Sequence, residues 1–261
     1  MSLAPVMFIS HGSPMYGLAP GIAGQQLNEI SDLFDQSSAI VVISPHWMTR
    51  GNAITHSREP GILHDFGGFP KALYELTYPA MGQPELAQNI QTLLAQKGVQ
   101  AHLDPRQSFD HGVWIPLLHL RPEADIPIVQ VSLNVDATPE DLVDFGSHLY
   151  SLREQGVAII ASGGLTHNLY DIQMKHQKVA DYAARFELWV TEQAQKRNLK
   201  ALQNASVKNP DFKPSHPTPE HYLPLLIAMG ATTKEDEFSQ LTSPIQHHSI
   251  SMTSFLWQGT S

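Results

Sequence analysis

Cysteine is absent from the 261 residues, which removes disulfides, thiolate nucleophiles, iron–sulfur clusters and cysteine-zinc sites together. Basic charge is scarce: 16 lysines and arginines against 25 acids leave a net charge of −9 with histidine neutral. That is the wrong sign for a nucleic-acid-binding face. Long apolar runs are missing as well, and none approaches the ~20 residues needed to span a bilayer. Residues 1–10 carry no basic n-region and the chain turns polar at His11, so no signal peptide is expected and a cytoplasmic protein is. No Walker-type or dinucleotide-binding glycine pattern occurs, and neither H-E-x-x-H nor the G-x-S-x-G elbow is present.

What remains is a globular composition, 42% hydrophobic and 16% charged, long enough to bury its own core without staples. Histidine stands out, with 14 residues against 16 lysines and arginines. Imidazole is the commonest metal ligand and titrates near neutrality, so metal or acid–base chemistry is the first hypothesis.

Continuous apolar runs at 6–9, 40–43, 126–131 and 157–160 predict strands covered on both faces. An alternating run at 248–255 predicts an edge strand. Helices are predicted from Pro84 and from Thr138-Pro139-Glu140-Asp141, where an N-cap, a first-turn proline and acids at the positive dipole end coincide. Another is marked by Val179, Tyr182, Phe186, Trp189 and Val190 and is expected to run through Lys200. Residues 204–217 are polar and proline-rich and predict a loop. Strands alternating with helices imply an α/β fold: a single domain over 1–261, with a mainly parallel central sheet and helices on both faces.

Ligands of such sheets bind at the carboxyl ends of strands, and there the histidines collect. The first run leads into His11-Gly12-Ser13-Pro14, the second into Pro45-His46-Trp47, and the fourth into Gly163-Gly164-Leu165-Thr166-His167-Asn168. A lone histidine is usually structural; three at equivalent strand ends point to a shared site. In Thr218-Pro219-Glu220-His221 the threonine is expected to cap a helix with Glu220 and His221 in its first turn, and Pro224 to make its start irregular. In Asp110-His111-Gly112 the aspartate is a candidate to orient an imidazole, although His111 reads equally as a loop residue packed by Trp114. His64-Asp65-Phe66-Gly67-Gly68-Phe69-Pro70 suggests a shaped aromatic loop. His56, His102, His119, His148, His176, His247 and His248 have no supporting context and read as surface or packing residues.

Taken in order, these motifs with His11-Gly12-Ser13-Pro14-Met15, Ser44-Pro45-His46-Trp47 and Pro217-Thr218-Pro219-Glu220-His221-Tyr222-Leu223-Pro224-Leu225 span about residues 6–230. They resemble the DOPA-dioxygenase branch of the class III extradiol ring-cleavage dioxygenases. The resemblance implies cleavage of a catechol ring beside its hydroxyls with O2, with a small catecholic substrate and no nucleic-acid or membrane partner. It implies one divalent non-haem metal, Fe(II) for dioxygenase activity, in a site that Zn(II) can also occupy. By the family's pattern His11 and His46 are ligands and a third comes from the Glu220-His221 pair, with His221 preferred. His167 is then the acid–base residue, close enough to touch the resting metal, and His111 contacts substrate or oxygen. Two histidines and one further ligand on one face leave positions open for two catechol oxygens and O2. An imidazole of pKa about 6.5 suits the proton transfers. The competing expectation is a zinc-dependent hydrolase or lyase in the same histidine-rich pocket, and a third is a non-catalytic metal or phenol binder.

Overall fold

A computed structural model describes residues 3–174 and 178–259 of the chain; His176 lies outside them. Eight strands form one sheet: β1 (Val6–Ser10), β2 (Ala39–Thr49), β3 (Asn52–Thr55), β4 (Ala101–Asp104), β5 (Ile128–Asn134), β6 (Val157–Gly163), β7 (Glu237–Leu241) and β8 (Ser254–Gln258). Their order is β4-β3-β5-β2-β6-β1-β8-β7. The central β5-β2-β6-β1 block is parallel throughout. Antiparallel pairing joins β3 to β5 and β8 to both β1 and β7.

The central strands read as unbroken apolar runs because both faces are covered. In β1, Val6 and Phe8 enter one core with the helices Pro84–Gln96, Pro139–Arg153 and Leu223–Gly230, whereas Met7 and Ile9 enter a second with Gly21–Glu29 and His111–Leu120. The helix Pro139–Arg153 starts as its sequence predicts. Thr138 and Asp141 form a reciprocal capping box with proline in the first turn, satisfying two otherwise orphaned N–H groups.

Five expectations need correction. The segment before β8 is buried but not a strand, and β8 is flanked by β1 and β7, so the edge is β7 instead. The helix Asp181–Gln195 stops short of Lys200: Arg197 adopts φ +49 and a short helix, Leu199–Gln203, follows. Within 204–217 lie two helical turns, Ala205–Lys208 and Phe212–Ser215. The last helix starts at Leu223, with Pro224 in its first turn where no N–H is needed. Glu220 and His221 therefore sit in the turn that precedes it. Finally, β2 does not end before His46 but continues to Thr49 through a shift in its pairing with β5 between Ser44 and Met48.

Candidate functional site

Each imidazole is delivered by a separate irregularity at the carboxyl end of the sheet. His11 directly follows β1, its N–H bonded to the Gly163 carbonyl at 3.1 Å. His46 sits in the β2 bulge, which also explains how Pro45 is tolerated in a central strand. His167 follows the glycine pair at the end of β6, its N–H held by the Ser215 carbonyl at 2.9 Å. His111 opens the helix His111–Leu120. The turn bearing His221 is pinned by Gly164 N–H donating to the His221 carbonyl at 2.9 Å. Gly163 permits that approach, since a Cβ there would lie 2.3 Å from the same carbonyl oxygen.

The rings converge. His11 and His46 bring their Nε2 atoms to 3.0 Å, and His11, His46 and His221 offer nitrogen atoms all within 4.8 Å of one another. The outer nitrogens are tied back: His11 Nδ1 is 2.9 Å from Ser162 Oγ, and His221 Nδ1 is 3.1 Å from Glu220 Oε1. That leaves His221 Nε2 buried with no hydrogen-bond partner, a costly state for a polar atom unless something else contacts it. His167 stacks on His221 with centroids 3.5 Å apart and planes at 7°. His111 lies 3.9 Å from His46, centroid to centroid.

Burial, and then the mutual repulsion of the imidazolium forms, depresses the three converging rings. His11 and His221 fall well below 6.5. His46 falls to about 3, chiefly by burial and the nearby His111. These three rings are thus neutral at pH 7, the form that donates a lone pair. His167 is driven to about 4, mainly by burial, so its environment departs from the near-neutral imidazole expected from the sequence.

The donor set fits a divalent ion. Two nitrogens each ~2.1 Å from one ion and at right angles to each other stand about 3.0 Å apart, the His11–His46 spacing. The unpartnered His221 Nε2 gains a partner in the same event.

One positioning idea from the sequence is corrected. Asp110 does not orient an imidazole: its buried carboxylate accepts from Ser44 Oγ at 2.7 Å and from the Gln130 amide. Asp65 does so instead. Its Oδ2 lies 3.0 Å from His111 Nδ1 and its Oδ1 accepts the His111 N–H at 2.9 Å. The two residues are far apart in sequence, and only the neighbouring loop motif hinted at the pairing. Asn168 caps the 169–171 turn and donates to the Pro214 carbonyl at 2.8 Å. His247, read as a surface or packing residue, lines the cavity together with His11, His46, His111, His167 and His221. The cavity encloses about 530 Å³.

Residues 5–255 match the family model described as the catalytic LigB subunit of aromatic ring-opening dioxygenase. A protein from Escherichia coli K12 named 4,5-DOPA dioxygenase extradiol is 37% identical over 96% of this chain and 93% of its own. A Beta vulgaris protein of the same name is 36% identical over 88% and 87%. A crystal structure of an uncharacterized Escherichia coli K12 protein superposes with a TM-score of 0.81 at 30% identity, covering 97% of this chain and 99% of that one.

Proposed function

Because the chain belongs to the family of the LigB catalytic subunit of aromatic ring-opening dioxygenases, we propose how its residues divide the work of an extradiol enzyme that opens a catechol ring with O2. His11, His46 and His221 hold one divalent metal through Nε2, Fe(II) in the active form. The observation that carries this assignment is the convergence of three imidazoles, those of His11 and His221 buried and that of His46 half-buried, with His221 Nε2 otherwise unpartnered. Fe(II) bound there supplies open positions for both catechol oxygens and for O2, and a path for electrons between them. Zn(II) suits the same imidazoles but has no redox step, so a zinc-filled molecule is expected to be inactive.

The other residues bind, orient and move protons. Ser162 and Glu220 fix the outer nitrogens of His11 and His221, which sets the tautomer that points Nε2 inward. His167, neutral and beside His221, takes the proton that a catechol hydroxyl loses on binding. His111 keeps its Nδ1 on Asp65, which leaves Nε2 to exchange a proton with substrate or oxygen. The apolar side chains of the cavity exclude water from the opened ring.

An oxygen electrode tests the reading. Protein loaded anaerobically with Fe(II) should consume O2 with a member of a catechol panel that includes L-DOPA, and a yellow ring-opened product should accumulate. No uptake across the panel, with iron confirmed in the protein, would leave a hydrolytic or purely binding role.

A further inference from the structure

Three elements meet at one buried carboxylate that the proposed chemistry does not use. Asp110 stands at the N-cap of the helix His111–Leu120, yet its side chain makes no capping bond to that helix. One of its oxygens accepts from Ser44 Oγ of β2 at 2.7 Å, and the other accepts from the Gln130 amide of β5. Ser44, Asp110 and Gln130 are each at most 1% exposed. A charge buried that far is costly unless its hydrogen bonds are well made, so the three side chains are held in one arrangement.

That arrangement reaches His46 through its backbone. Strand β2 pairs with β5 at Ser44 and next at Met48, and with β6 only as far as Ile43. Neither register includes His46, and a buried N–H left out of a ladder at a bulge needs a partner from elsewhere. Ser44 Oγ supplies one, accepting the His46 N–H at 3.3 Å. Because the Ser44 proton is directed at Asp110, a lone pair of the same oxygen is turned toward the bulge. The helix start closes on this point. A Cβ on Gly112 would lie 2.4 Å from Ser44 Oγ and 3.0 Å from His46 Cδ2, so glycine lets the segment carrying His111 pack directly on the one carrying His46.

We infer that Asp110 is a positioning residue for His46: acting through the Ser44 hydroxyl, it fixes the bulge backbone from which that imidazole reaches the metal. This rests on the reading of His46 as a ligand. Titrating the metal-free protein with Co(II) gives two readouts, a Kd and the visible spectrum of the bound ion, which reports its coordination. Thermal unfolding of the metal-free form reports stability separately. Ser44→Ala cuts the link and keeps the carboxylate. Asp110→Asn removes the charge but keeps an oxygen for the Ser44 hydroxyl, and the Gln130 amide can turn to present its Oε1, which has no partner in the wild-type protein. Co(II) should bind Ser44→Ala about 10-fold more weakly, the lower end of what losing an outer partner of a ligand costs, and with an altered spectrum. Asp110→Asn should bind nearly as tightly as wild type and keep its spectrum. Asp110→Ala should match Ser44→Ala, and combining the two should add nothing, because both break the same link.

Wild-type affinity and spectrum in folded Ser44→Ala overturn the inference, even with a lowered unfolding temperature, since that is the result of a merely structural role. Equal weakening in Asp110→Asn and Asp110→Ala also overturns it and makes the carboxylate charge the cause. Losses that multiply in the double variant contradict it as well, by showing two independent effects. Should Asp110→Ala not fold, Ser44→Ala and Asp110→Asn decide alone. If instead His46→Ala binds Co(II) as wild type does, the ligand reading itself fails, and the inference with it.

Discussion

At the scale of single residues, the proposed roles separate side chains that would hold a metal from those that would move protons, and metal content distinguishes the two. His11→Ala or His46→Ala removes one of three converging nitrogens, and elemental analysis after dialysis should find the metal gone. Glu220→Gln acts one bond further out, on the Nδ1 side of His221. Loss of such an outer partner typically costs about 10–100-fold in affinity, so this variant should still load at high metal concentration. His167→Gln should keep its metal and bind catechol, yet turn over ~10²–10⁴-fold more slowly, the usual cost of a lost proton-transfer group. Complete metal loss in His167→Gln, equal to that in His11→Ala, would make His167 a ligand.

At the scale of elements, the end of β6 and the turn that carries His221 are one unit. Gly163→Ala would bring a Cβ to 2.3 Å from the His221 carbonyl oxygen, and both contacting segments are backbone. The turn must move, at a cost of about 1–3 kcal/mol typical of overpacking. Thermal unfolding of the metal-free variant should show that loss, and a metal titration should show weaker binding than wild type. Unchanged affinity would mean the His221 turn is not held by this contact.

The same scale shows what the sequence makes legible. The helix Pro139–Arg153 is readable because its start depends on residues three positions apart, and the central strands because burial on both faces writes an unbroken apolar run. Strands β3, β4 and β7 are short and carry no such run; β7 is Glu-Phe-Ser-Gln-Leu, half turned to solvent at the sheet edge. The histidines of the site were legible from their positions after strands and turns. Asp65 was not, because its contact with His111 joins a loop to the start of a distant helix, and only folding brings the two together. The β2 bulge at His46 was also hidden, since Pro45 reads locally as a strand end.

At the scale of the whole molecule, Arg153 is fully buried where the helix Pro139–Arg153 ends. It donates to the carbonyls of Ala4 at 2.8 Å and Ala231 at 2.9 Å, and to both oxygens of Asp236. This one guanidinium ties the lead into β1 to the chain that follows the helix Leu223–Gly230. Asp236→Asn leaves the buried charge unpaired and should destabilise the protein by roughly 3–5 kcal/mol. Burial opposes the Asp236 charge, but Arg153 and the Thr233 N–H outweigh it and hold the carboxyl below its ordinary 3.8. The pair's contribution is therefore complete above that value and is lost as pH falls through the lower folded pKa. Denaturant unfolding should show a constant gap between wild type and Asp236→Asn from pH 7 down to about pH 5. The gap should narrow below pH 4; a gap that widens on acidification would contradict the assignment.

The central claim is that this histidine cluster inserts O2 into a catechol ring, and the mass of the product tests it most directly. Iron-loaded protein, given a single catechol and a known amount of O2, should consume one O2 per catechol and yield a yellow acid whose mass is that of the substrate plus both oxygen atoms. His11→Ala, treated identically, should yield none. A product two hydrogens lighter than the substrate, the quinone of simple oxidation, would contradict ring opening, as would an equal yield from the His11 variant.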